Sequence, residues 1–264
     1  MKSLNVDQSS WGCVKVTGGD RVRFLQGMCT ADVTKIGEGA WARASMLSVK
    51  GRVVSVFDIL ARPDCLLLLT QPGLAQTTHD LLDKHAIMDD VAFAIVDQPV
   101  HRVWASPSAV WDAPPVLAPC PEPVASEAEL EARRIEAGMP RYGLDVTDGE
   151  FPFESRLREA IDYEKGCYLG QEPVSRVQHQ GRPNRDLLGL RIEGDGAVEP
   201  GAGVSHPNRD NAGTVTSAAV SPDYGSIALA HLHRSVAEPG TRVTVAGRPA
   251  TVCAVPFDKA PDSE

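Results

Sequence analysis

Between residues 106 and 123 the chain carries prolines at 107, 114, 115, 119, 121 and 123. No helix or strand runs through that density of fixed φ angles and missing N–H donors. The stretch reads as a connector, and it divides the 264 residues into parts that must each assemble from short elements. Before it, residues 13–16 alternate like a strand, 46–49 and 53–60 read as two strands joined by a hairpin turn at Lys50, Gly51 and Arg52, 65–70 is a further buried strand and 91–96 returns to a strand. Helical spacing is expected after Asp20, a natural N-cap, and over 73–85, where Leu74, Leu81 and Leu82 share a face. Strands interleaved with helices predict an α+β layer structure.

After the connector, Ser126 is placed to cap a helix through Glu129, Leu130 and Ile135, with Glu129 completing a capping box and Gly138 ending it. Leu157, Ala160, Ile161 and Glu164 then predict a second helix following Phe151, Pro152 and Phe153, with Gly166 at its C-terminal end. From residue 187 onward, short apolar runs at 188–192, 213–217, 227–230 and 242–245 are separated by Gly, Pro and Asp turns, the pattern of a small β-barrel. The expected organisation is therefore an N-terminal region over 1–186 and a barrel domain over 187–264, with a frayed polar end at 258–264.

Composition narrows the function classes. A formal net charge of -9 disfavours broad attachment to nucleic acid or anionic membrane and favours a small ligand or a protein partner. The N-terminus lacks the apolar core of a secretory signal, so a cytoplasmic location is expected. Six cysteines, at 13, 29, 65, 120, 167 and 253, contain no Cys-x-x-Cys pair, which argues against a structural zinc or self-contained cluster site and for free thiols. His231 and His233 would share one strand face, but no neighbouring ligand completes a metal set, so packing or surface roles are expected.

Against this background the segment Lys165, Gly166, Cys167, Tyr168, Leu169, Gly170, Gln171, Glu172 stands out. It sets one cysteine between two glycines, and glycine permits a tight loop that a ligand or partner can approach closely. Lys165 and Arg176 would favour a thiolate, Glu164 and Glu172 would oppose it, and a position just past a helix C-terminus would oppose it further. Cys167 is either a functional thiol or a small buried apolar residue. Tyr168 is expected to anchor the loop in the core rather than stack on a ligand.

Four stretches in order carry a family resemblance: 16–20 (Val-Thr-Gly-Gly-Asp), 24–27 (Phe-Leu-Gln-Gly), 134–140 (Arg-Ile-Glu-Ala-Gly-Met-Pro), and the segment from Lys165 to Glu172 followed by Arg176. With these the chain resembles the YgfZ-type folate-binding proteins, relatives of the glycine cleavage T-protein (aminomethyltransferase) that are implicated in assembly or maintenance of iron-sulfur clusters. The resemblance implies a ring of three subdomains around a tetrahydrofolate pocket, with a small C-terminal β-barrel. It places Glu136 where a glutamate holds the pterin, and a carboxylate suits the two parallel donors of an amino-pyrimidine edge. Lys165 falls where basic residues lie near the folate. The signature set is Lys165, Gly166, Cys167, Tyr168, Gly170, Gln171, Glu172 and Arg176, with Cys167 as the functional thiol.

One departure matters. The T-protein's paired aspartate is replaced here by Ser55 and Val56, and Asp58 should face the side opposite Ser55. Aminomethyl transfer of the T-protein kind is therefore not expected. The resemblance implies an accessory protein for iron-sulfur proteins that binds tetrahydrofolate or a derivative and meets its clients transiently, without direct nucleic-acid or membrane contact. A single thiol cannot hold a cluster that takes four thiolates, so any cluster contact needs other ligands. The alternatives are a tetrahydrofolate-dependent one-carbon transferase or demethylase with a different acid or base, and a module in which folate is structural or regulatory. Arg176, Arg182 and Arg185, with His179 and Gln180 between them, form either a docking patch for an acidic partner or a solvated loop.

Overall fold

The chain is described by a computed structural model over residues 4–104, 113–122, 125–181 and 183–257. Three layered units emerge. The first is a five-stranded sheet in the order β3-β4-β5-β2-β6, from β2 (Gly12–Thr17), β3 (Trp41–Leu47), β4 (Val53–Ala61), β5 (Leu66–Thr70) and β6 (Ala92–Ile95). Every pairing in it is antiparallel. The helices α1 (Arg21–Met28) and α2 (Ala75–His85) cover one face. Phe24, Leu25 and Met28 of α1 and Leu82 of α2 join Val14, Val16, Phe57 and Ile59 in one buried cluster. Each such side chain withdrawn from water contributes about 2 kcal/mol, which offsets the modest intrinsic stability of helices this short.

The second unit pairs β1 (Leu4–Asp7) with β7 (His101–Trp104) and sets them beside α3 (Glu127–Ala137). Ser126 caps α3 through its hydroxyl and Gly138 ends it in the left-handed region at φ 67°. The third is a closed six-stranded antiparallel barrel of β8 (Arg185–Ile192), β9 (Gly203–His206), β10 (Arg209–Ser221), β11 (Gly225–His233), β12 (Arg242–Val245) and β13 (Arg248–Cys253). Its interior holds Leu190, Val204, Val215, Ala228, Leu232, Val245 and Val252. The α+β class and the C-terminal barrel match the sequence reading.

Two expectations fail locally. Residues 152–160 do not form one helix but two 3-10 turns, Pro152–Ser155 and Arg158–Ala160, broken at Arg156, which adopts φ 56°. The helix in this region is α4 (Gln171–Gln180), which starts after Cys167. Asp20 occupies the N-cap position of α1 without capping it. Its carboxylate instead accepts the Asp90 N–H, while Asp90 accepts that of Gly19, a reciprocal clasp that ties the Gly18–Gly19 turn to the approach to β6. Of the connector, residues 113–122 contain no helix or strand, and 106–112 and 123 lie outside the described residues, as do the end at 258–264 and Arg182. No helix of the described residues is long and apolar enough to cross a membrane.

The barrel is bolted to α3 and the segment after it by buried polar contacts. Asp145 accepts hydrogen bonds from Arg134 Nη1 at 2.6 Å and Ser217 Oγ at 2.7 Å, and from Thr216 Oγ1. His231 Nε2 donates to the Asp145 carbonyl at 2.9 Å, so His231 is a packing residue as expected. Its Nδ1 is buried and has no partner among the described residues. Burial, aided by Arg185, holds the His231 pKa below its ordinary 6.5. A base with a depressed folded pKa binds its proton preferentially when unfolded, so stability is lost as pH falls below 6.5. Urea unfolding between pH 7 and 5.5, above the carboxylate range, should show falling stability in the parent and a flatter profile in His231→Gln; equal slopes would exclude this origin.

Candidate functional site

The loop that carries the signature is built from contacts on both sides of it. Thr30, just after α1, donates its hydroxyl to the Ala160 carbonyl at 2.5 Å and accepts the Asp162 N–H on its own carbonyl at 2.9 Å. Asp162 caps the turn that follows, accepting the N–H groups of Glu164 and Lys165 on Oδ1 and pairing Oδ2 with Lys35 Nζ at 2.7 Å. Lys165 then folds inward. Its ammonium donates to the carbonyls of Gln26, Cys29 and Ala31, each at 2.7 Å, and lies 5.2 Å from the centre of the Tyr168 ring. An ammonium has three N–H donors and all three are used. Burial lowers the Lys165 pKa, while the nearby Cys29, Asp32 and Asp162 oppose that shift.

Tyr168 is the expected anchor, buried with Val56, Phe153 and Leu157. Gly170 sits at φ 81° and caps α4, and a Cβ there would lie 2.4 Å from the Ser48 carbonyl oxygen. Only glycine meets both demands, a left-handed φ and a backbone against it. Gly166 meets neither: its φ is not positive and its Cβ position faces open space. Gln171 turns its Oε1 back toward the Tyr168 N–H at 3.4 Å, and Glu172 pairs with Arg176 one turn along α4 at 2.8 Å. Lys165, Tyr168, Gly170 and Gln171 therefore fix the loop, and Cys167 is left exposed on its crest. Cys167 precedes a helix N-terminus, so the dipole opposition expected from a helix ending at Gly166 does not arise.

Glu136 and Lys165 are not brought together. Glu136 is fully buried, its Oε1 accepting from Ser221 Oγ at 2.6 Å on the barrel and its Oε2 from Arg133 Nη1 at 2.7 Å. Its carboxylate braces α3 against β10, and it lines none of the described cavities. Ser55 is buried and bonds Thr78 Oγ1 of α2 at 2.6 Å, while Val56 points the other way into the Tyr168 cluster. Asp58 lies on the Val56 side as expected, and two guanidiniums hold it: Arg43, with Nε at 2.8 Å, and Arg102. Neither Ser55 nor Val56 supplies a carboxylate, and that of Asp58 is taken up by the two guanidiniums. Arg176 is exposed and pairs with Glu172 along α4, while Arg185 reaches Glu150 at 2.9 Å.

Beside the signature loop lies the largest of the described cavities, about 680 Å³. Trp41, Arg43, Arg156 and Tyr163 line it, with the Lys35–Asp162 pair at its wall. Arg156 is its most distinctive group. The residue keeps a left-handed backbone that costs of order 1–3 kcal/mol and recurs at ligand sites. Its Nε donates to the Gly138 carbonyl at 3.1 Å, and its terminal nitrogens take no hydrogen bond among the described residues. Burial lowers its pKa, though a guanidinium remains charged. Sequence reading missed Arg156 and Trp41. Neither stands in a motif, and only the unusual backbone at Arg156, invisible in sequence, marks it. No group of three or more His, Cys, Asp or Glu among the described residues is arranged to hold a metal ion.

Comparison with known proteins agrees with this architecture. Residues 185–259 match the family profile of the glycine cleavage T-protein C-terminal barrel domain. The tRNA-modifying protein YgfZ of Cronobacter sakazakii is 24% identical over 89% of this chain and 86% of its own length. An aminomethyltransferase of Streptomyces coelicolor is 30% identical over 71% of this chain but only 52% of its own. The crystal structure of the glycine cleavage system aminomethyltransferase T from Bartonella henselae superposes with a TM-score of 0.82 over 97% of this chain and 86% of that one, at 18% identity. The chain is thus related to the YgfZ-type proteins and shares the aminomethyltransferase fold.

The local account predicts the effect of removing the buried clamp. Lys165→Met should lower unfolding stability by about 3 kcal/mol, because three carbonyls, two of them in buried contacts, lose a charged donor. Chemical denaturation measures this, and a loss below 1 kcal/mol would show that the ammonium is not structural.

Proposed function

We propose that this YgfZ-related chain is a tetrahydrofolate-binding accessory protein for the assembly or maintenance of iron-sulfur proteins, with the ligand in the cavity beside the signature loop and Cys167 as its working thiol. The observation that carries the reading is the juxtaposition of that cavity with a rigidly held loop whose only exposed reactive group is the Cys167 thiol. The cavity's chemistry fits the ligand. About 680 Å³ lies in the range of small-molecule sites, Trp41 and Tyr163 supply aromatic walls, and the Arg156 guanidinium suits a pterin carbonyl oxygen or a glutamate carboxylate. Glu136 and Lys165 support the site only indirectly, the first by bracing α3 against the barrel and the second by fixing the loop.

The thiol has no companion. Cys29 is fully buried and its pKa is pushed up to about 11 by burial, so it offers no second thiolate. Cys167 therefore acts with a ligand supplied from outside, such as a client's thiolates or a small thiol, which matches a helper better than an electron carrier. The replacement of the T-protein's paired carboxylates by a hydroxyl bonded to Thr78 and a buried Val56 weighs against aminomethyl transfer. A one-carbon transferase using another acid or base remains the second reading, favoured only by the shared fold. The name of the Cronobacter relative refers to tRNA modification; with a net charge of -9, a role here through a client enzyme accords better than direct RNA binding.

Cys167→Ala should leave tetrahydrofolate binding and thermal stability unchanged, since the residue is exposed, while lowering the activity of iron-sulfur client enzymes in cells several-fold. Undiminished client activity would remove the thiol from the function. Turnover of a methylene donor by the purified protein with tetrahydrofolate alone would favour the transferase.

A further inference from the structure

The two outer strands of the N-terminal sheet end it differently. At β3 the open side is closed in part: Ser45 donates its N–H to Thr30 Oγ1 at 2.9 Å and accepts the Thr30 N–H on its carbonyl at 3.0 Å, and Trp41 and Arg43 line the large cavity. At the opposite edge β6 pairs only with β2, Val14 facing Ile95 and Val16 facing Phe93. The Val96 N–H bonds the Cys13 carbonyl at 2.9 Å. By the two-residue period of an antiparallel ladder, Ala94 and Ala92 also turn their main-chain groups toward β2. Phe93 and Ile95 therefore present two N–H groups and two carbonyls on the open side, and no backbone bond among the described residues takes them up.

That edge is apolar at its centre and acidic at its margins. Ile95 is 46% exposed, and Ile87 and Met88, in the turn that leads from α2 to β6, are 86% and 94% exposed. Phe93 anchors the strand on the helix-covered face, its ring 5.6 Å from that of Phe24, while Ala92 and Ala94 leave the other face without bulk. Residues 92–95 contain no charge and no proline, and their register with β2 has no bulge, so the usual blocks to strand addition are missing. Only the length of four residues limits indiscriminate pairing. Around the strand, residues 80–97 carry five aspartates and one lysine. Asp83 and Asp97 are exposed, and neither enters a hydrogen bond or ion pair among the described residues. A second copy of the chain would bring these aspartates against each other, whereas a basic partner would neutralise them.

We propose that the open side of β6 is a docking edge for an extended, basic segment of a partner protein, which adds a sixth strand to the sheet. Main-chain bonds to Phe93 and Ile95 set the register and supply affinity, and every second side chain of the added strand packs beside those two residues. Lysine or arginine at the remaining positions meets Asp83 and Asp97, which selects a basic segment over an acidic one. Four inter-strand steps, about 19 Å, separate β6 from β3. Docking at β6 thus leaves the cavity beside β3 open, and the inference stands apart from the folate reading.

The test titrates the full-length protein with a capped peptide of alternating lysine and valine, read by calorimetry and by hydrogen exchange at single amides. The Phe93 and Ile95 amides should exchange fast in the free protein and slow about tenfold or more with the peptide, while the Ala94 amide is slow in both states. Ile95→Pro removes an outward N–H that β2 does not use and should weaken binding about tenfold, the effect of one main-chain bond. Asp83→Lys/Asp97→Lys, which alters only exposed side chains, should weaken it severalfold with the fold kept by circular dichroism. A peptide with glutamate in place of lysine should bind more weakly than either variant binds the basic one. Absence of binding, binding that leaves the Phe93 and Ile95 amides unprotected, or equal affinity for the two peptides would overturn the proposal. Protection of those amides without peptide, rising with protein concentration, would assign the edge to a second copy and overturn it equally.

Discussion

The arrangement around the signature depends on one buried ammonium. Lys165 donates to the carbonyls of Gln26, Cys29 and Ala31, which lie at the end of α1 and in the segment after it. A helix C-terminus leaves carbonyls without intrahelical partners and carries partial negative charge, so a cation there is doubly suited. Through these bonds a loop more than a hundred residues distant in sequence becomes part of the N-terminal sheet unit. Asp162 adds the second tie, joining the loop's own N–H groups to Lys35. The residues on either side of Cys167 are thereby immobilised, and the thiol is presented from a rigid base. Rigid presentation reduces the ordering cost when a partner engages the thiol.

A second set of polar bolts fixes the barrel in place. Glu136 with Ser221, and Asp145 with Arg134, Ser217 and the His231 imidazole, lock the barrel to α3 and its following segment. Gly138 makes the approach close enough for this. A Cβ on it would lie 2.6 Å from Val255 and 3.0 Å from Arg156 Nε. Arg156 is consequently held beside the end of α3 in its left-handed backbone, and it lines the cavity. The barrel contributes no lining residue to that cavity and acts here as a brace on α3.

The sequence made the regular elements readable because their signals are local. Alternation located β2, apolar runs located β4 and β5, and Ser126 with Gly138 bounded α3. The helix expected over the residues after Phe153 failed for a reason that spacing does not express. Leu157, Ala160 and Ile161 have helical spacing, yet they are buried by two short 3-10 turns on either side of a residue with positive φ. The same misreading put Cys167 at the wrong end of a helix. Signature residues were legible as a set but not by role. The resemblance places Lys165 and Glu136 at the ligand, whereas in the structure both are buried and bonded to partners 85 to 139 positions away.

The central claim is that the cavity between Trp41 and the 156–164 segment is the folate site, distinct from the exposed thiol. A crystal structure of the protein with bound tetrahydrofolate tests it most directly. The account predicts the pterin within that cavity, in hydrogen-bond reach of the Arg156 guanidinium, with Cys167 out of contact with the ring. A pterin seated on the Glu136 carboxylate after a shift of the barrel, or packed against the Cys167 sulfur, would contradict it.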